Sequence, residues 1–237
     1  NKYVTTEHIR THSFAVEAVM RALAKRLAPE DVDLWGVTGL LHDLDNDLVD
    51  WKSDMSLHGK RTVKILKEID FGNEAMYNAI LAHNPATGKK VENVFENALY
   101  SGDPITGFIN AITLVYPDKK IASVKVKSIV KRMKETRFAA GANREAMWAI
   151  ENTGIKFEEF INRINMNNLN INFSNIAKAY IEYKNPKKAL NFFLKQWKIK
   201  KDTGVALSIF NLCLLFEEFN EEVYEYLKNT ELIRLVR

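Results

Sequence analysis

At 237 residues, with 46% hydrophobic residues and a formal net charge of +4, the chain has the make-up of a globular protein of one domain, or of one domain with an appendage. Its single cysteine, Cys213, excludes an intramolecular disulfide and a cysteine-based zinc site, and the mild charge does not by itself announce a nucleic-acid binder. No apolar run approaches the roughly 20 residues of a membrane-spanning helix, and the polar start Asn1-Lys2-Tyr3 is unlike a secretory leader, so a cytoplasmic location with no membrane partner is expected.

Taken in chain order, the spacing of Phe14, Val16, Val19, Met20, Leu23 and Leu27 predicts a helix from about Thr6 to Leu27, closed by Pro29 and carrying His8 and His12. A second helix follows Asp31 to Asp33 and carries Leu34, Val37, Leu40 and Leu41 straight into the pair His42-Asp43. The short polar residues Asp45, Asn46 and Asp47 then end it. Consecutive residues on a regular helix point about 100° apart, so His42 and Asp43 can share one target only where the helix finishes or distorts. Leu57, Val63, Leu66 and Ile69 predict a third helix over Met55 to Ile69, with His58-Gly59 in its first turn. Asn73 to Ala82 repeats the pattern and delivers His83 at its end, before Asn84-Pro85. The segment Val91 to Tyr116 reads as helical on both sides of Ser101-Gly102-Asp103-Pro104, with Asp103 where a bend is expected.

Between Asp118 and Arg137, eight basic residues interleave with Ile121, Val124, Ile129, Val130 and Met133, which predicts a basic amphipathic helix. Its lysines are read either as the wet face of that helix or as an attraction for phosphate; RNA is the less favoured partner. Short helices over Arg144–Asn152 and Lys156–Ile164 complete the first region. Strand signals are weak throughout, so the expected class is all-α. Residues 165–172, within an asparagine-rich run, read as a linker between a region over 1–164 and helical hairpins over 173–237.

The histidines and aspartates form an ordered series: His12, His42-Asp43, His58, His83, Asp103. With the flanking stretches HSFAVEAVMRALA, GLLHDLD, AILAHN, ALYSGDPITGFINA, LVYPDKK and FAAGANRE, it resembles the HD superfamily of metal-dependent phosphohydrolases, in the subgroup of bacterial HDIG-type hydrolases, over roughly Val4 to Ile164. The resemblance implies an α-helical bundle in which separate helices each contribute a ligand to one divalent ion or an ion pair. It implies His12, His42, Asp43 and Asp103 as primary ligands, Asp43 as the bridge if two ions bind, and His58 and His83 either as ligands of the second ion or as groups facing the substrate phosphate. Imidazole plus carboxylate suits Mn, Fe, Co, Ni or Zn, with Mg also compatible. Such an ion lowers the pKa of bound water and offsets charge on a phosphoryl group. Asp45 and Asp47 read either as solvated helix-terminating carboxylates or as groups that orient water or a ligating histidine. His8, one turn before His12 on the same helix face, reads either as a group at the mouth of the site or as a histidine at the surface or behind the ligands. Lys119 and Lys120 are candidate phosphate contacts from the LVYPDKK resemblance, with Arg137 and Arg144 as further options.

The hairpins over 173–237, with Asn185-Pro186 at one turn, resemble tetratricopeptide repeats at a period of roughly 34 residues, which implies a protein partner or self-association there. The expected function is hydrolysis of a phosphomonoester or diester, such as a nucleotide or another small phosphorylated molecule. The alternative is a non-catalytic metal- or nucleotide-binding signalling module that recruits a protein through its C-terminal helices.

Overall fold

The computed structural model describes residues 3–164, and among them every regular element is helical. The α-helices are α1 (Glu7–Leu27), α2 (Val32–Leu41), α3 (Lys60–Glu68), α4 (Glu74–His83), α5 (Val94–Leu114), α6 (Val126–Met133), α7 (Arg144–Trp148) and α8 (Phe157–Arg163). Short 3-10 turns punctuate them, at Pro29–Asp31 ahead of α2 and at Met55–Leu57 ahead of α3. The tetratricopeptide-like hairpins and the linker lie outside the described residues.

The core forms where α2 packs along α1 and against α4 and α5, with α8 joining it on α1. Trp35, Val37, Leu40 and Leu41 of α2 are all buried together with Gly36, Thr38 and Gly39, and a helix without a polar face has to sit inside the bundle. It does so by packing closely along α1. A Cβ placed on Gly39 would stand 2.9 Å from the Val16 carbonyl oxygen and 2.8 Å from Met20 Cγ, so only glycine lets the two backbones approach this far. Thr38, the one hydroxyl on α2, donates to the Leu34 carbonyl at 2.7 Å. Met20, Leu23, Ile80, Phe108 and Phe160 fill the interior, and Ile155, Phe157, Ile161 and Ile164 carry the same core to the end of the described chain.

α5 runs as one helix with Pro104 inside it. Proline lacks the N–H that would bond the carbonyl one turn earlier, so this stretch of α5 has weaker internal restraint. Its N-terminus is held by a reciprocal cap: Asn93 Oδ1 accepts from Glu96 N at 3.0 Å, and Glu96 Oε1 accepts from Asn93 Nδ2 at 2.9 Å.

Two expectations need correction. The helix anticipated over Met55–Ile69 is split, because Gly59 adopts φ 87° and breaks the run between the 3-10 turn and α3. His58 therefore sits in extended backbone at the break. The long basic helix is reduced to α6. Lys119, Lys120 and Lys125 precede it, and the 3-10 turn Ile121–Ser123 interrupts the run, with Asp118 accepting from Ser123 Oγ and Lys120 N. A short acidic residue that caps a tight turn wins over the amphipathic pattern there.

Candidate metal centre

The six expected residues arrive from five places in the bundle, and the packing of α1, α2, α4 and α5 brings them to one point. His12 projects from the second turn of α1. His42 and Asp43 follow α2, where the chain tightens into successive i→i+3 turns (Leu44 N on Leu41 O, 3.1 Å; Asn46 N on Asp43 O, 3.0 Å). This distortion lets neighbouring residues aim together. His58 comes from the break before α3, His83 is the last residue of α4, and Asp103 lies in the middle of α5.

Asp43 is the hub. Its Oδ2 lies 3.5 Å from His12 Nε2, and its Oδ1 lies 3.2 Å from His42 Nε2, 3.2 Å from His58 Nε2 and 3.7 Å from His83 Nε2. Asp103 Oδ1 lies 3.0 Å from His12 Nε2 and 3.7 Å from His42 Nε2. Two overlapping groups, His12/His42/Asp103 and His42/Asp43/His83, each bring three donor atoms within 4.8 Å of one another. His42 and His83 lie at the buried end, while His12, His58 and Asp103 are partly open to solvent.

The rear nitrogens explain the orientation. All four histidines turn Nδ1 toward an acceptor: His42 to the Gly39 carbonyl (2.8 Å), His83 to the Ile80 carbonyl, His58 to Asp45 Oδ1 (2.7 Å) and His12 to Thr106 Oγ1 (2.9 Å). Thr106 donates its own hydroxyl proton to the Asp103 carbonyl at 2.9 Å, so toward His12 it accepts. A proton held on Nδ1 leaves the Nε2 lone pair of each neutral ring pointing to the centre, the tautomer that metal ligation requires. His42 Nε2 is fully buried and finds no hydrogen-bond partner. A buried imidazole nitrogen that faces carboxylates without a well-formed hydrogen bond fits a cation-binding site, where a proton or a metal ion supplies the positive partner. The donor set, imidazole with carboxylate, suits a first-row divalent ion.

Without an ion the centre compensates its own charge. Burial pushes His42 down, but the Asp43 and Asp103 carboxylates outweigh it and hold the ring at about 9. Burial opposes protonation of His58 too, and hydrogen bonds to Asp43 and Asp45 raise it to about 10. Burial and the adjacent rings of His42 and His58 push His83 down to about 4. Asp43 and Asp103, although buried, are held below the usual carboxylate range by the surrounding imidazoles. Protons on His42 and His58 therefore stand where positive charge is needed.

Around this centre lies an ordered second layer. Asp45, fully buried, accepts from His58 on one oxygen and from Gly59 N (2.7 Å) and Thr62 N (2.9 Å) on the other, and its own N–H donates to Thr62 Oγ1 (3.1 Å). Gly59 also permits close approach, since a Cβ there would meet the Ile80 carbonyl oxygen at 3.1 Å and His83 Cε1 at 3.5 Å. Asn84 Nδ2 donates to the carbonyls of Met55 (2.7 Å) and His58 (3.0 Å). Thr62, Asn84 and Thr106 were not singled out from the sequence. Thr106 carried the clearest signal, three residues after Asp103 on one helix face.

Other candidates lie elsewhere. Asp47 accepts from the backbone and hydroxyls of Thr5 and Thr6 at 2.7–3.0 Å and ties down the entry to α1. His8 is exposed. Lys119 and Lys120 sit in an exposed turn past the C-terminus of α5. From Asp103 to Leu114 the helix alone advances about 16 Å, which separates both lysines from the centre. Arg137 is exposed, and Arg144 spends its guanidinium on the carbonyls of Met133, Glu135, Phe138, Ala139 and Ala142.

Residues 9–106 match the family model of the HD domain, a span that contains His12, His42, Asp43, His58, His83, Asp103 and Thr106. The matched stretch supports an HD domain in this chain, a domain whose members are in general metal-dependent phosphohydrolases. Searches of the curated proteins and of the solved structures found no match. Among the described residues, no helix is long and apolar enough to cross a membrane.

Proposed function

We propose that this protein is a metal-dependent hydrolase of a small phosphomonoester or diester. The observation that carries the reading is the convergence of four Nε2 atoms on Asp43, each ring pinned from behind at Nδ1. His12, His42, Asp43 and Asp103 would hold one divalent ion, and His42, Asp43 and His83 offer a second, overlapping set. Such an ion, when bound, supplies Lewis acidity toward phosphoryl oxygen and lowers the pKa of water. The chain's own residues supply orientation and proton handling. Thr106 fixes His12, and the Gly39 and Ile80 carbonyls fix His42 and His83, so the centre needs little reorganisation when substrate arrives. His58, backed at Nδ1 by Asp45 and partly open to solvent, carries a proton at Nε2 for the departing alcohol oxygen.

The test is metal analysis of the purified protein, followed by phosphate-release assays on monoesters and diesters after reconstitution with Mn, Fe, Co, Ni, Zn or Mg. His42→Ala and Asp43→Ala serve as controls. Turnover lost in both variants supports the reading. Metal retained without phosphate release from any ester would instead support a non-catalytic binding module, and absence of both metal and activity would sink the reading.

A further inference from the structure

Residues 46–57 form a loop whose two ends meet at the metal centre. Asp45 Oδ1 accepts from His58 Nδ1 at 2.7 Å, which closes the loop at its base, and Asn84 Nδ2 ties the Met55 carbonyl to the end of α4 beside His83. Within the loop, Leu48 N and Val49 N donate to the Asp45 carbonyl (2.8 and 3.2 Å), and Ser53 N and Asp54 N donate to the Asp50 carbonyl (both 3.1 Å). Closed surface loops of this size, packed by their own contacts, are frequently functional.

The composition of the loop does not match its exposure. Leu48, Trp51, Met55 and Leu57 are 43%, 40%, 58% and 41% exposed. They make up half of the eight large hydrophobic side chains exposed among the described residues, and they fall within ten consecutive positions. Single exposed apolar residues need no explanation, but a concentration of them beside a reactive centre does. Trp51 offers a flat ring and Met55 a polarisable thioether, the two side chains best suited to cover an aromatic group.

Charge selects the occupant. The carboxylates of the centre are matched by imidazoles and backbone amides; in the loop Asp47 is held by Thr5 and Thr6, and Asp50 and Asp54 stand against Lys52, whose ammonium lies 5.8 Å from the Trp51 ring centroid, and against Lys60 beside Asp54. A polyanion gains little from such a rim. An ester that places one phosphate at the centre and an uncharged ring on the loop gains from both.

We propose that the loop binds the organic group of the substrate, with Trp51 and Met55 as its main contacts, and that the preferred substrates are phosphate esters of aromatic or apolar alcohols. The assignment rests on the phosphohydrolase reading. The experiment compares benzyl phosphate with glycerol 3-phosphate, esters of similarly basic alcohols, so that leaving-group chemistry does not mask recognition. A higher kcat/KM is expected for benzyl phosphate. Trp51→Ala and Met55→Ala should each lower that value about five- to tenfold, the size of one aromatic contact, and lower it for glycerol 3-phosphate by less, so that the preference between the two esters shrinks.

Equal turnover of the two esters, or equal losses on both in the variants, overturns the assignment without touching the hydrolase reading. A binding titration with non-hydrolysable benzylphosphonate separates the reverse case. Binding that depends on Trp51, in a protein that hydrolyses no ester, keeps the loop assignment and rejects the hydrolase. A change of oligomeric state in Trp51→Ala with unaltered ester selectivity shows the surface to be a contact between copies, and also overturns the assignment.

Discussion

Asp45→Asn isolates the role of the second layer, because it removes charge and one acceptor while conserving shape. In the native chain, Gly59 N and Thr62 N share Oδ2 and His58 Nδ1 has Oδ1. Asparagine has a single carbonyl oxygen, which the two backbone amides claim, so its NH2 group faces His58 Nδ1. A donor at that position drives the ring proton from Nδ1 to Nε2 and removes the carboxylate that supports a charged ring. Proton donation of this kind contributes about 10²–10⁴-fold, so kcat should fall by at least about 100-fold, with KM and metal content within a few-fold of native. Replacing charge-assisted hydrogen bonds by neutral ones should also cost about 1–2 kcal/mol of stability, or about 2–8 °C in Tm for a protein of this size. Steady-state kinetics, metal analysis and a thermal melt on one preparation read all three quantities. If Asp45 acts through His58, the same change in a His58→Ala background should cost almost nothing further in kcat. An unchanged kcat, or additive losses in the double variant, would refute the reasoning. Metal affinity falling in step with kcat would instead make His58 a ligand.

Thr106→Val should weaken metal binding about tenfold in a chelator-competition titration, since it deprives His12 Nδ1 of its acceptor, and Thr106→Ser should restore it. An equal loss in both variants would show the effect to be packing alone. Gly39→Ala forces a Cβ against the Val16 carbonyl and Met20, so it should lower stability by about 1–3 kcal/mol by overpacking and reduce metal affinity by separating α1 from α2; an unchanged melt would refute it. Stability of the metal-free protein should peak near pH 6.5 and fall on either side. His42 and His58 are raised above the unfolded 6.5, so their contribution is full below that value and is lost as pH climbs through about 9 and 10. His83 is lowered to about 4, so its contribution holds above 6.5 and is lost as pH falls toward 4, where the depressed Asp43 and Asp103 begin to follow. A melt series over pH checks the window. Calorimetry of metal binding in buffers of different ionisation enthalpy should show proton release at pH 7, and none would contradict protonated His42 and His58.

The local chain already determines much of this protein. Apolar spacing marked α1, α2, α4 and α5 within a residue or a few at each end, and the polar ligand types stood out because they interrupt or end apolar helices. The HD pair at the end of α2 could be read as a junction able to aim two side chains at one target, because that follows from helix geometry alone. What the sequence could not decide was distance between elements. Gly59 splits the third helix, and this places His58 against both Asp45 and His83; periodicity sees only a continuous apolar stripe. Lys119 and Lys120 follow Asp103 in the sequence, but the helix between Asp103 and Leu114 alone rises about 16 Å before the turn that carries them. Thr106 and the exposed Trp51 loop acquire meaning only from what lies next to them. Periodicity reports which face of one helix is buried, whereas a site assembled from five segments depends on how closely those helices pack, and here close packing rests on Gly39 and Gly59.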